Sequence, residues 1–135
     1  MVKINSIAII EDDETVLHYL AEQIQLCIDV AELRVFGNAE TALKELIAEP
    51  VDIALFDVNL PGMNGIDCIR KLKMVHPKTQ CMVLTVYDKP DIIFEALKAG
   101  AISYLLKSTP AEKIIEAIAE VNKGGSPISS QIARK

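Results

Sequence analysis

The sequence predicts an α/β protein with a doubly wound, five-stranded parallel sheet and five helices. Three observations support this fold class. Short apolar runs alternate five times with longer stretches whose apolar residues recur at helical spacing. The runs in the middle of the chain are apolar on both faces, as buried parallel strands are. The connections are short, which favours consecutive βα units with helices on both faces of the sheet.

Five short aliphatic runs are the predicted strands. Residues 31–36 (AELRVF) alternate polar and apolar side chains, as an edge strand does. Residues 53–56 (IALF) are apolar throughout, as a central parallel strand is. The five predicted strands cover residues 6–10, 31–36, 53–56, 81–85 and 103–106.

Periodicity and local start and stop signals delimit the five helices. Asp13 is a predicted N-cap of the first helix. Pro90 can occupy the first position of the fourth helix, and Gly100 can end it. The Pro61-Gly62 pair before the third helix is typical of a type II turn. The helices are predicted from residue 13 to about 27, from 38 to near 50, from 66 to before 76, from 90 to 100 and over 111–123.

Composition excludes several classes of protein. A chain of 135 residues suits one domain, and a net charge of −5 argues against this chain binding nucleic acid or an anionic membrane by itself. No apolar run approaches the roughly 20 residues of a membrane span, and the N-terminus lacks a signal-peptide pattern. Cys27, Cys68 and Cys81 show no C-x-x-C spacing. We therefore expect buried free thiols and a cytoplasmic protein.

Polar side chains stand at the carboxyl ends of four predicted strands. Glu11 and Asp12 follow the first strand, Asp57 follows the third, Thr85 ends the fourth and Lys107 follows the fifth. In doubly wound sheets, ligands bind beyond the carboxyl ends of the strands, at the point where the strand order reverses. If the first and third strands are neighbours, the three carboxylates meet there.

Three crowded carboxylates repel one another unless a cation joins them. Oxygen ligands without a nearby histidine or thiolate favour Mg²⁺. Lys107 could pair with Asp57 and later with a phosphoryl oxygen. A carboxylate beside Mg²⁺ and a lysine is suited to accept a phosphoryl group as an aspartyl phosphate. Such a transfer needs positioning and charge neutralisation more than proton chemistry.

The stretches IAIIEDDE, LFDVNLPGMNG, LTVYD and YLLKS together resemble the receiver domain of two-component response regulators. Their order and spacing match from Ile4 to about Lys123. The resemblance implies a flavodoxin-like sheet of order 2-1-3-4-5. It also implies a signal receiver that accepts a phosphoryl group from a histidine kinase or phosphotransfer protein and forms a homodimer on phosphorylation. Such a protein is not an enzyme with a separate substrate, because it catalyses only its own phosphorylation and dephosphorylation.

The same resemblance implies the metal ligands. Asp12 would bind Mg²⁺ directly, Glu11 through water, and Asp57 through its carboxylate. The main-chain carbonyl of Asn59 would complete the protein ligands.

The resemblance further implies the catalytic and switch residues. Asp57 would be the phosphorylated residue, with Thr85 as the switch hydroxyl and Lys107 as the lysine that contacts the phosphate. Tyr104 would be the aromatic side chain that reorients on phosphorylation.

The tail GGSPISSQIARK departs from the periodic pattern. It resembles the linker that enters the LuxR-type helix-turn-helix domain of the regulator subfamily typified by nitrate-response regulators. We therefore expect a receiver domain over 1–123, and a linker with the start of a missing output domain over 124–135. DNA would be bound only through that output domain, and transcription would be the process controlled. With no partner for it identified within the chain, we expect the tail to be mobile in isolation or ordered only by a neighbour.

Three alternatives stay open from the residues. A Mg²⁺-dependent phosphatase of the haloacid-dehalogenase type would use similar groups, but it needs a second aspartate where Asn59 stands. A flavin mononucleotide binder would need hydroxyl and amide donors after the first strand, where Glu11 and Asp12 would repel phosphate. A purely structural adaptor would have no use for the complete set of acids, threonine and lysine.

Overall fold

The computed structural model describes residues 1–128 and residue 132 of the chain. Strands and helices alternate regularly along the described residues. In chain order they are β1 (Val2–Ile10), α1 (Glu14–Cys27), β2 (Ile28–Phe36), α2 (Ala39–Ala48), β3 (Ile53–Phe56), α3 (Gly65–Val75), β4 (Gln80–Thr85), α4 (Pro90–Ala99), β5 (Ala101–Leu106) and α5 (Ala111–Asn122).

The strands form one parallel sheet in the order β2-β1-β3-β4-β5. The predicted doubly wound sheet and its strand order are therefore confirmed. The order reverses between β1 and β3, which pair over four residues from Ile7–Ile53 to Ile10–Phe56. Whatever follows these two strands must meet at one edge of the sheet. The outer strands are β2 and β5.

A hydrophobic cluster covers each face of the sheet. One cluster joins the sheet to α2, α3 and α4, and the other joins it to α1 and α5. The strand β3 contributes to both clusters. Ala54 and Phe56 face the first, whereas Ile53 and Leu55 face the second. This alternation explains why a four-residue strand is apolar at every position.

Local signals delimit the helices as predicted. Asp13 caps α1, because its side chain accepts hydrogen bonds from the main chain of residues 15 and 16. Asn38 caps α2 in the same way. Pro90 is the first residue of α4, and Gly100 ends that helix with a φ of +120°.

The first two strands are longer than predicted. β1 begins at Val2 rather than residue 6, and β2 begins at Ile28 rather than residue 31. Their added residues pair with each other, from Val2–Ile28 onward, whereas β3 joins β1 only from Ile7. The extension therefore depends on a partner strand rather than on the local apolar run.

The expectation of three buried thiols is wrong for Cys27, which is exposed, and right for Cys68 and Cys81. Cys27 is the last residue of α1. The chain turns directly into β2 there, and the next residue, Ile28, takes the inward position with 2% of its surface exposed. The helical spacing that suggested burial continues to Cys27, but the helix ends there and the chain turns, so Cys27 stays at the surface.

The described part of the tail contacts β5. Ile128 forms a parallel bridge with Tyr104, and the Ser103 hydroxyl donates a hydrogen bond to the carbonyl of Pro127. Ile132 is 5% exposed and belongs to the cluster on the α2–α3–α4 face. The described part of the tail thus has a partner within the chain, so the expectation that it lacks one is wrong for these residues. β5 is an edge strand, so its outer main-chain groups can pair with an extended segment.

The prediction of mobility for 129–131 and 133–135 lies outside the described residues. Within the described part of the chain, no helix is both long enough and apolar enough to cross a membrane.

Candidate functional site

Five side chains meet at the carboxyl edge of the sheet. Glu11 and Asp12 directly follow β1, Asp57 directly follows β3, Thr85 is the last residue of β4, and Lys107 directly follows β5. The main chain fixes these positions, because the N–H of Asp57 donates to the carbonyl of residue 10 and the N–H of Lys107 donates to the carbonyl of Thr85. The structure therefore brings together the acids, the hydroxyl and the amine that the sequence places at strand ends.

Asp57 is buried and held on both carboxylate oxygens, with 6% of its surface exposed. Its Oδ1 accepts hydrogen bonds from the Thr85 hydroxyl at 2.8 Å and from the Asn59 N–H at 3.2 Å. Its Oδ2 lies 2.8 Å from the Lys107 ammonium. A buried carboxylate is tolerated when it is paired and hydrogen-bonded, and these contacts supply both conditions.

Lys107 bridges Asp57 and Glu11. Its Nζ lies 2.5 Å from Glu11 Oε1, and Glu11 Oε2 accepts the Asp13 N–H at 3.1 Å. Burial raises the pKa of Glu11, against the opposing effect of the Lys107 hydrogen bond. Burial alone would lower the pKa of Lys107, but the hydrogen bonds to Asp57 and Glu11 outweigh it and raise that pKa. The ammonium is thus firmly charged between two carboxylates.

Glu11, Asp12 and Asp57 form a potential cation site. One carboxylate oxygen from each lies within 4.8 Å of the other two. Glu11 and Asp57 are buried, whereas Asp12 is exposed and presents its carboxylate to solvent. The donors are all oxygen atoms, which suits Mg²⁺ rather than zinc. A hard cation here would relieve the repulsion among these three acids, of which Glu11 and Asp57 already pair with Lys107.

Two glycines shape the loop between β3 and α3. Gly65 lies so close to Asp57 that an added Cβ would sit 2.0 Å from the Asp57 carbonyl oxygen. Its N–H donates to the carbonyl of Val58 at 3.0 Å. Gly62 has a φ of +72°, which fits the predicted turn at Pro61-Gly62. Gly65 was not identified from the sequence, although a glycine as the first residue of a helix is a signal of close approach.

Tyr104 is buried on the face of the sheet that packs against α2, α3 and α4. It has 0% of its surface exposed, and its hydroxyl donates to the carbonyl of Tyr87 at 2.7 Å. Burial raises the pKa of Tyr104 to about 12. In this structure the Thr85 hydroxyl points to Asp57 while Tyr104 lies inside. Tyr87 was not identified from the sequence, because it acts here through a main-chain atom that every residue possesses.

A family model described as the response regulator receiver domain matches residues 7–119. The chain is 36% identical over 95 residues to the transcriptional regulatory protein DegU of Brevibacillus brevis, which covers 70% of this chain and 40% of DegU. The matched family is a receiver family and gives no support to a phosphatase. The chain spans about half the length, or less, of most curated relatives that it matches.

Solved structures show the same fold. A LuxR-family two-component response regulator from Aurantimonas sp. superposes with a TM-score of 0.91 at 23% identity, over 97% of this chain and 94% of that one. A structure of RcsB dimers bound to DNA superposes with a TM-score of 0.87 at 21% identity, over 97% of this chain and 67% of the RcsB chain.

Proposed function

The chain belongs to the response regulator receiver domain family, and from that membership we propose that Asp57 accepts a phosphoryl group and so switches the conformation of the domain. The observation that carries the proposal is the pairing of the buried Asp57 with Lys107 and Thr85 beside two further acids. The donor would be a histidine kinase or a phosphotransfer protein.

The chain's own residues account for the transfer. A carboxylate oxygen of Asp57 forms the new bond to phosphorus while the bond from phosphorus to the donor nitrogen breaks, and the released imidazole takes a proton. Lys107 is placed to leave the carboxylates and pair with a phosphoryl oxygen. Mg²⁺ bound by Glu11, Asp12, Asp57 and the Asn59 carbonyl would neutralise the charge of the incoming group. Attack by water on the phosphoryl group would reverse the modification.

The switch would run from Thr85 to Tyr104. Phosphorylation adds about two negative charges and strong acceptor oxygens to Asp57. The Thr85 hydroxyl, already 2.8 Å from Asp57 Oδ1, can donate to one of those oxygens. Phosphate would favour this arrangement, with Tyr104 in the buried position that it has here. The surface formed by α4, β5 and α5 would then report the state of Asp57.

The output would lie beyond this chain. We propose that 1–123 is the receiver domain and that 124–135 leads into a helix-turn-helix domain that controls transcription. DegU is named as a transcriptional regulator, and RcsB is described as dimers bound to DNA. A homodimer formed on phosphorylation would place two DNA readers together. The 135-residue chain carries a net charge of −5, which opposes contact with DNA phosphates.

Mass spectrometry after treatment with acetyl phosphate and Mg²⁺ tests the proposal. We expect one added phosphoryl group on the wild-type chain and none on Asp57→Asn, which keeps the shape of the side chain but removes the nucleophilic carboxylate. Equal labelling of the two proteins would refute Asp57 as the acceptor. Fluorescence anisotropy with duplex DNA tests the output assignment, because specific binding by residues 1–135 would place the output function within this chain.

A further inference from the structure

An acidic side chain on α2 reaches across to the loop that follows Asp57. Glu40 is the second residue of α2, and its Oε2 accepts a hydrogen bond from the N–H of Met63 at 2.7 Å. Twenty-three residues separate these two groups in the sequence. A Cβ added at Gly62 would lie 2.3 Å from the same oxygen. The carboxylate therefore lies directly against the main chain of the Pro61-Gly62 turn.

The Glu40 contact holds the middle of a loop that is fixed at both ends. At the start, the Asn59 N–H donates to Asp57 Oδ1 at 3.2 Å. At the end, the Gly65 N–H donates to the Val58 carbonyl at 3.0 Å. The Met63 contact lies between these anchors and comes from another element. It limits how far the intervening segment can rotate about its glycine turn.

The surroundings of Glu40 favour the charged form of its carboxylate, which is the form that best accepts this hydrogen bond. Its pKa is lowered, mainly by the hydrogen bond from Met63 and also by its own main-chain N–H. An acid in the first turn of a helix is further favoured by the helix dipole. Glu40 is exposed, so the contact does not serve to fill the core. A role in holding the loop accounts for it better than a role in packing.

We propose that Glu40 is a positioning residue for the phosphorylation site. By holding the Met63 N–H, it sets the path of the loop that carries Asn59, and so the place of the Asn59 carbonyl relative to Asp57. The inference rests on the proposed function, in which that carbonyl binds Mg²⁺. Loss of the contact should weaken Mg²⁺ binding about three- to tenfold. Removing a group that hydrogen-bonds a metal ligand directly typically costs about 10- to 100-fold in affinity, and Glu40 acts less directly, through the loop. The phosphorylation rate at saturating Mg²⁺ should change much less.

Two substitutions separate the hydrogen bond from the charge. Glu40→Gln keeps an acceptor oxygen at the same reach but removes the charge. Glu40→Asp keeps the charge in the first turn of α2 but is one methylene shorter, so its carboxylate falls short of Met63. Glu45→Gln is the matched control, because Glu45 is an exposed acid on the same helix.

Mg²⁺ alone is titrated into each protein by calorimetry, and acetyl phosphate labelling is followed at several Mg²⁺ concentrations. We expect Glu40→Asp to bind Mg²⁺ about three- to tenfold more weakly, and Glu40→Gln and the control to bind like wild type. Wild-type affinity in Glu40→Asp, or an equal loss in Glu40→Gln, would overturn the positioning role. A wild-type chain that binds Mg²⁺ but is never labelled would instead refute the proposed function, while calorimetry would still test the effect of Glu40 on the metal.

Discussion

Among single residues, Lys107 is the one on which the charge balance of the site depends. Its ammonium contacts Glu11 at 2.5 Å and Asp57 at 2.8 Å, and both acids are buried. Lys107→Ala would leave two neighbouring carboxylates without a cation. We expect the free energy of unfolding to fall by about 3 kcal/mol in the absence of metal. Added Mg²⁺ should restore part of the loss, because it supplies a replacement cation.

Urea unfolding with and without Mg²⁺ measures this effect. Lys98→Ala is the control, since Lys98 pairs with Glu95 at 3.6 Å on the surface and such pairs contribute at most about 1 kcal/mol. Equal, small losses in both variants would mean that the Lys107 bridge contributes no more than a surface pair.

The raised pKa of Tyr104 predicts that the protein loses stability at alkaline pH. Burial raises its pKa from 10.0 to about 12, so the folded state keeps the phenol proton over a range in which the unfolded chain loses it. The stabilisation is complete below pH 10 and is lost as pH rises towards 12. Tyr104→Phe cannot ionise and should lack this loss. We expect wild type to lose about 1 kcal/mol more than the variant between pH 9 and pH 11.

Denaturant unfolding of the two proteins at both pH values provides the comparison. Cys68 and Cys81, whose pKa values are also raised to about 12 by burial, are present in both and cancel. Parallel stability curves would contradict an ionisable, buried Tyr104.

The residues of the site differ in how far the sequence could reveal them. Asp57 and Lys107 could be predicted because each follows a recognisable strand, and the carboxyl ends of parallel strands share an edge. Glu40 and Tyr87 could not, because each contact joins distant segments through a main-chain atom. Side-chain type carries no information about such a partner.

Among the elements, α3 begins at a position that has no room for a side chain. Gly65 begins this helix against the Asp57 carbonyl, at a distance that no Cβ could occupy. Gly65→Ala must push α3 or the end of β3 away. We expect a loss of about 1–3 kcal/mol in the free energy of unfolding and weaker Mg²⁺ binding through the displaced Asp57.

Gly37→Ala is the matched control for Gly65→Ala. A Cβ there meets nothing within 4 Å, and Gly37 has no positive φ. We expect it to be neutral or slightly stabilising, since alanine narrows the unfolded ensemble. A Gly65→Ala protein as stable as Gly37→Ala would mean that α3 can shift without cost.

The ends of helices and strands could be predicted from the sequence where neighbouring residues determine them, but not where a distant segment does. Helix ends at Asp13, Asn38 and Gly100 could be predicted because capping groups lie within a few residues of the groups that they satisfy. The starts of β1 and β2 could not, since those residues are strands only by pairing with each other. Predicting where β1 and β2 begin requires knowing that these two strands are neighbours in the sheet.

In the whole molecule, the tail belongs to the folded unit as far as it is described. Ile132 is 5% exposed, whereas Ile128 is 40% exposed. We expect Ile132→Ala to lower the free energy of unfolding by about 2 kcal/mol or more, and Ile128→Ala to lower it by less. Thermal and urea unfolding of the two variants measure these losses of stability. If neither variant loses stability, the tail contributes nothing to the fold.

The two edges of the sheet are protected in different ways. β2 carries the charged side chains Asp29, Glu32 and Arg34 along its length, which discourages another chain from pairing with it. β5 is instead covered by the chain's own Pro127 and Ile128. Cutting the protein after residue 123 would leave β5 as an open template for strand addition. A shortened receiver should therefore self-associate at concentrations where the longer chain stays monomeric, as size-exclusion chromatography would register. In laboratory practice, the domain boundary suggested by helix periodicity is a poor place to end an expressed fragment.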